Sequence, residues 1–156
     1  MKRLTSPIFL LAVLVSASCG GDATGPGGIS ISDIAGTWNA ASMVFAETGT
    51  TGLEVTVDPI ADGGTAVLTI QSNGQFTLQA DFPLDGSSSS SSGTMHFDEE
   101  DEDFLLLLFD GETVEDEFFF QLNGNAMSLN GVTEFDFDGD GVEEEAGLIA
   151  AFVRSS

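Results

Sequence analysis

The sequence has almost no basic residues. Its 156 residues include only three lysines and arginines against 26 acidic residues, which gives a formal net charge of −23. A surface of this sign repels nucleic-acid phosphates and anionic lipid head groups, and it attracts cations. Acidic side chains also keep a β-rich protein from aggregating. We therefore expect no nucleic-acid partner.

Residues that usually perform catalysis are equally scarce. Tyrosine is absent, His96 is the only histidine and Cys19 is the only cysteine. A serine triad needs a histidine base close to the serine, and zinc sites usually need several histidines or cysteines. His96 lies between Met95 and Phe97, where we expect a structural or surface role. We predict a protein that is not an enzyme and has no catalytic residues.

The first 18 residues have the organisation of a secretory signal peptide. Lys2 and Arg3 supply a positive start, Ile8 to Val15 form an unbroken apolar run, and small residues occupy positions 16–18. The apolar run is too short to span a bilayer as a stable helix. We predict a signal peptide over residues 1–18, followed at once by Cys19.

A cysteine directly after small residues resembles the lipobox of bacterial lipoproteins, although Ser16 stands where leucine is usual. The resemblance implies lipidation of Cys19 and attachment to the cell envelope, and Gly20 in the next position implies the outer membrane. A lipid anchor holds by hydrophobic transfer, so several chains make it stable. The alternative is a secreted or periplasmic protein, because Ser16 and Ser18 also suit an ordinary signal peptidase.

The rest of the chain is the right size for one domain. Residues 19–29 are predicted to form a flexible tether, because Gly20 to Gly28 read GGDATGPGG. Residues 30–156 form the predicted domain. Arg154 is the one lysine or arginine that remains after residue 18.

The domain has the alternation of half-buried β-strands. In residues 75–82, apolar Phe76, Leu78, Ala80 and Phe82 alternate with polar side chains, which places one face against a core. Asn-Gly and Asp-Gly pairs at residues 73, 110 and 123 predict hairpin turns. Nine strands are predicted, at residues 36–46, 53–58, 65–71, 75–82, 93–97, 104–109, 114–122, 126–136 and 145–154.

Short connections between so many strands predict an all-β fold. An antiparallel up-and-down barrel of about eight to ten strands would remove every exposed edge. The six serines at residues 87–92 are predicted to form a mobile loop before the fifth strand.

Both ends of the domain resemble the lipocalins and their calycin relatives. Those proteins begin with Gly-x-Trp, which matches Gly36-Thr37-Trp38, and they carry an arginine near the end of the last strand, which matches Arg154. The resemblance implies that Arg154 packs on Trp38 and closes one end of the barrel. An even number of strands is needed for that, so either one of the nine predicted strands is split or merged, or the pair does not form. Residues 126–136, interrupted by Asn130-Gly131, are the first candidate, and two strands there would make ten.

A lipocalin-like barrel implies that a small apolar ligand binds inside it without being chemically altered. Phe76, Leu78, Phe118 and Phe120 are the candidate cavity residues, and we expect a monomer. The alternative is a structural or interaction module of the cell surface. In that case its own side chains fill the barrel, and its acidic loops meet calcium or a cationic partner.

One acidic segment resembles part of a calcium-binding loop. Asp136, Asp138 and Asp140 follow the DxDxDG pattern, and Glu144 would take a water-linked position. Gly147 stands where an EF-hand has its bidentate glutamate, and strands flank the segment, so an EF-hand is excluded. A calcium site in a β-hairpin and a plain polar turn are the two remaining interpretations. Calcium is the one cofactor that the sequence suggests.

Overall fold

The computed structural model describes residues 23–48, 56–82 and 87–156. The predicted signal peptide and Cys19 lie outside these residues. A short 3-10 turn at Pro26–Gly28 and a single turn of helix, α1 (Ile31–Ile34), precede the strands. No helix in the described part of the chain is long and apolar enough to cross a membrane. The strands are β1 (Gly36–Glu47), β2 (Thr56–Val57), β3 (Thr65–Ile70), β4 (Gln75–Phe82), β5 (Ser87–Phe97), β6 (Phe104–Phe109), β7 (Asp116–Asn123), β8 (Ala126–Phe135) and β9 (Glu144–Arg154).

Eight of these strands close into a barrel. From β3 to β9, each strand pairs antiparallel with the next one along the chain, and β1 pairs with β3 on one side. On its other side β1 pairs with β9, from Trp38 opposite Arg154 to Glu47 opposite Ala146. This last ladder joins the two ends of the sheet and removes its edges. The prediction of an all-β, antiparallel up-and-down barrel is confirmed.

The short strand β2 is an addition to the barrel wall. β2 has two residues and pairs only with Phe45 and Ala46 of β1. β3 pairs with β1 only along Gly36–Asn39, and a bulge follows between Ala40 and Ser42. Beyond the bulge, the Asp58 carboxylate accepts a hydrogen bond from the Met43 amide at 3.2 Å. β2 and Asp58 therefore lie beside the part of β1 that does not pair with β3.

Residues 126–136 do not hold two strands. They form the single strand β8, in which Asn130 and Gly131 stay in register with Phe119 and Phe118 of β7. Gly131 is explained by packing, because a Cβ there would lie 2.6 Å from the ring of Phe118. The barrel has an even number of strands because β2 is not part of it.

The prediction of a mobile loop at Ser87–Ser92 is wrong. The serines form the first half of β5 and pair with β4, from Ser87 opposite Phe82 to Ser92 opposite Thr77. Serine has no strong preference for strands, so pairing with β4 imposes this conformation. Ser89 and Ser91 pair with Ala80 and Leu78, whose side chains face the interior.

The barrel interior is divided into two halves. The end that contains Trp38 and Arg154 is called the closed end, and the opposite end, where β1 and β8 terminate, is called the open end. The closed half is packed by its own side chains. The largest side chains with almost no exposure all lie there: Trp38, Phe97, Phe120, Ile34, Leu105 and Met127.

Gly93 offers a test of this strand arrangement. A Cβ at this position would lie 2.1 Å from the carbonyl oxygen of Leu108, which belongs to the neighbouring β6. We predict that Gly93→Ala lowers the free energy of unfolding by about 1–3 kcal/mol, the usual cost of overpacking, in urea denaturation followed by circular dichroism. Gly147→Ala is the matched control in β9, where the nearest atom would lie at 3.8 Å. Equal effects of the two substitutions would contradict the close contact of β5 with β6.

Candidate functional site

The closed end is held by contacts of Arg154 and Trp38. The guanidinium carbon of Arg154 lies 4.4 Å from the centre of the Trp38 ring. The same guanidinium donates hydrogen bonds to the carbonyl oxygens of Asp33 at 2.7 Å and Ala35 at 2.8 Å. The Trp38 indole donates to the carbonyl oxygen of Ile34 at 2.9 Å. Three consecutive carbonyls at the end of α1, which the helix leaves unpaired, are thereby satisfied.

The segment before β1 covers this end of the barrel. Ser30 donates from its amide and hydroxyl to the Asp33 carboxylate, at 2.9 and 2.6 Å, and these hydrogen bonds lower the pKa of Asp33. Gly25 pairs with Ile29, and a Cβ at Gly25 would lie 2.3 Å from the Phe97 ring. Ala23, the first described residue, also packs against the core, so packed structure lies within the segment predicted as a tether.

The open half of the interior holds a cavity of about 260 Å³. Its lining is mainly apolar, and it includes Phe45, Phe76, Leu107 and Phe152. Phe76 and Phe109 meet edge to face with ring centres 5.3 Å apart. An apolar cleft with few polar groups is the usual form of a small-molecule site, although this one is just below the typical range of about 300–1,000 Å³.

Three of the four predicted cavity residues line this cavity. Phe76, Leu78 and Phe118 contact it. Phe120 is not among the lining residues, because it is fully buried in the closed half with its ring 5.1 Å from that of Phe97. Leu78 is only half-buried although it faces inward, so its exposed surface is the wall of the cavity.

Polar groups enter the cavity from two places. Ser89 and Ser91 of β5 contribute hydroxyls to its wall, and Thr133, Glu134 and Glu143 lie at its mouth. None of these five residues was predicted from the sequence to line a cavity. The alternation of Met95 and Phe97, continued backwards through Gly93, would have placed Ser91 and Ser89 on the inward face.

An acidic groove of about 790 Å³ adjoins the cavity at the open end. The cavity and the groove share five lining residues, which are Ser91, Phe109, Thr133, Glu134 and Glu143. The groove is lined by six carboxylates, those of Asp110, Glu112, Asp116, Glu134, Glu143 and Glu145. The pKa of Asp116 is raised, first by its partial burial and then by the charges of Glu112 and Glu134. The groove is thus a region of concentrated negative charge.

The predicted calcium ligands lie in the loop between β8 and β9. Oxygens of Asp136, Asp138 and Asp140 lie within 4.8 Å of one another. Asp136 accepts the amides of Gly139 at 2.7 Å and Gly141 at 2.8 Å, as expected for a tight polar turn. The fourth predicted ligand, Glu144, is not part of this group.

Glu144 instead accepts the amide of Phe137 at 3.2 Å. His96 lies on the outer surface of β5, half exposed, with its Nδ1 3.7 Å from Glu115. The structure therefore brings three of the four predicted calcium ligands together and places the one histidine away from both the cavity and the aspartates.

Comparisons of the chain with protein-family models, with curated proteins and with solved structures find no match. The functional argument therefore depends on the barrel's own geometry. In the part of the chain that the structure describes, the barrel has a covered end, an apolar cavity and an acidic mouth.

Proposed function

We propose that this protein binds a small apolar ligand in the open half of a lipocalin-like barrel, without catalysis. The observation that carries the proposal is the apolar cavity of about 260 Å³ next to a fully packed closed half. A barrel that served only as a structural module would have no reason to leave this space between Phe76, Leu78 and Phe118. Burial of apolar ligand surface would supply the binding energy, at about 25 cal/mol per Å².

The sealed end supports the same function. Arg154, Trp38 and α1 cover one mouth of the barrel, so a ligand would enter and leave only by the other. The hydroxyls of Ser89 and Ser91 would orient the polar part of a ligand, as isolated polar groups do in apolar sites.

We place this activity in the cell envelope. The support is the sequence of residues 1–19, in which a positive start, an apolar run and small residues precede Cys19. In this proposal Cys19 is lipidated and anchors the barrel to the outer membrane, as Gly20 implies. The residues from Cys19 to Ala23, the first described residue and one that packs against the core, would then separate the barrel from the lipid surface.

A larger side chain that fills the cavity should weaken ligand binding. We expect the neutral fluorophore N-phenyl-1-naphthylamine to bind the purified chain, and Leu78→Trp to weaken that binding at least tenfold because the indole occupies the cavity. The measurement is a fluorescence titration, with circular dichroism to verify the fold. Ala80→Leu, a smaller addition to the same wall, serves if Leu78→Trp does not fold.

Gln79→Trp is the matched control, because Gln79 is exposed and adjoins Leu78 on the outward face of β4. It should leave the titration unchanged. If the unmodified chain does not bind the fluorophore, or if both tryptophan variants bind equally well, the cavity is not the binding site.

The second candidate function is an interaction module whose acidic loops bind calcium. The residues that would carry it are Asp136, Asp138 and Asp140, whose oxygens approach within 4.8 Å of one another. Carboxylate oxygens are the ligands that calcium prefers, and six to eight oxygens are needed. Water and backbone carbonyls of the same loop would have to complete the set, since Glu144 is engaged with Phe137.

Calcium binding would stabilise the fold. At constant ionic strength, free calcium at ten times its dissociation constant should raise the free energy of unfolding by about 1.4 kcal/mol. Asp138→Asn with Asp140→Asn should remove this gain in a thermal melt. Asp98→Asn with Asp101→Asn, which removes two charges from the acidic loop at the closed end, should retain it. A melting temperature that does not respond to millimolar calcium would exclude the site.

A further inference from the structure

The mouth of the cavity is negative and has no counter-charge. Glu134 and Glu143 line both the apolar cavity and the acidic groove, and four more carboxylates line the groove. Between residues 4 and 153 the sequence contains no lysine or arginine. The remaining arginine, Arg154, is engaged with α1 at the closed end. No lysine or arginine of the barrel can therefore neutralise the mouth.

Among the residues that the structure describes, the two glutamates at the mouth have no internal partners. Asp110 accepts a hydrogen bond from the Ser92 hydroxyl, and Glu145 accepts one from the Thr48 hydroxyl at 2.7 Å. Within the described residues, neither Glu134 nor Glu143 has a hydrogen bond or an ion pair through its side chain. Their carboxylates remain available to a group that enters the cavity.

We infer that the ligand is a cationic amphiphile, with an apolar part in the cavity and an ammonium group between Glu134 and Glu143. This inference rests on the proposed function of the cavity and names the chemistry of its ligand. A carboxylate head group, as in a fatty acid, would instead lie among six negative charges and be repelled. The cavity of about 260 Å³ limits the size of the apolar part.

Two features of the mouth strengthen this choice. The pKa of Asp116 is raised first by burial and then by the charges of Glu112 and Glu134. The carboxylates therefore repel one another, and a cation would relieve that repulsion. Aromatic rings lie beside the glutamates. Phe135 follows Glu134 and stacks on Phe45 at 4.2 Å, and Phe109 lines both the cavity and the groove. Faces of aromatic rings attract ammonium groups.

Three ligands of equal chain length test the inference. Decylamine, decanol and decanoate would each displace N-phenyl-1-naphthylamine from the purified full chain at pH 7 and low salt. We expect decylamine to act at a concentration at least tenfold lower than decanol, and decanoate to be the weakest. The variant Glu134→Gln with Glu143→Gln should reduce the ratio of amine to alcohol affinity to about threefold or less.

The matched control is Asp98→Asn with Asp101→Asn. It removes the same charge from the closed end, so the amine preference should stay within about twofold of the unmodified chain. The inference is overturned if decanol or decanoate binds as well as decylamine, or if the two double variants change the preference equally. In both cases decanol binding still supports the cavity as a ligand site. Absence of binding by both the fluorophore and decanol would overturn the proposed function and this inference together.

Discussion

The contact of Arg154 with Trp38 is the constraint on which the rest of the structure depends. It joins the first and last strands of the barrel, since these two residues are direct partners in the β1–β9 ladder. It also joins the barrel to α1, because both side chains donate hydrogen bonds to carbonyls at the end of that helix. One pair of residues therefore closes the sheet and seals one of its ends.

The sealed end determines where function can reside. The large side chains of Trp38, Phe97 and Phe120 fill the closed half, which leaves space only toward the other end. The single positive charge after residue 3 is also placed away from the cavity. The only lysine or arginine after residue 3 is used at the closed end, and the open end carries six carboxylates around its groove. Arg154 therefore lies at the end of the barrel opposite the negative mouth. This separation underlies the proposed preference for a cationic ligand.

Much of the fold could be predicted from the sequence, because alternation and turn residues are local signals. Phe76 to Phe82 and the Asn73-Gly74 turn identify a strand and its hairpin without knowledge of neighbours. The serine strand could not be identified in this way, because six identical polar residues have no alternation. Its conformation comes from pairing with β4, which the serines themselves do not specify.

The candidate site was less predictable than the fold. Inward positions such as Phe76 and Phe118 follow from alternation, but the boundary between packed core and open cavity depends on the sum of all side-chain volumes. That sum placed Phe120 in the core. Glu134 and Glu143 were hidden among 26 acidic residues, because they lie on opposite sides of the aspartate loop and meet only when β8 pairs with β9.

A double-mutant cycle between Trp38 and Arg154 tests whether this pair closes the barrel as a unit. Urea denaturation followed by circular dichroism would compare the unmodified chain, Trp38→Phe, Arg154→Gln and the double variant. If the pair closes the barrel as a unit, the two effects are non-additive, with a coupling energy of about 1 kcal/mol or more. Arg154→Gln combined with Phe135→Leu at the open end should be additive within about 0.5 kcal/mol. Additive effects of the Trp38 and Arg154 substitutions would show that the two side chains do not act as a unit.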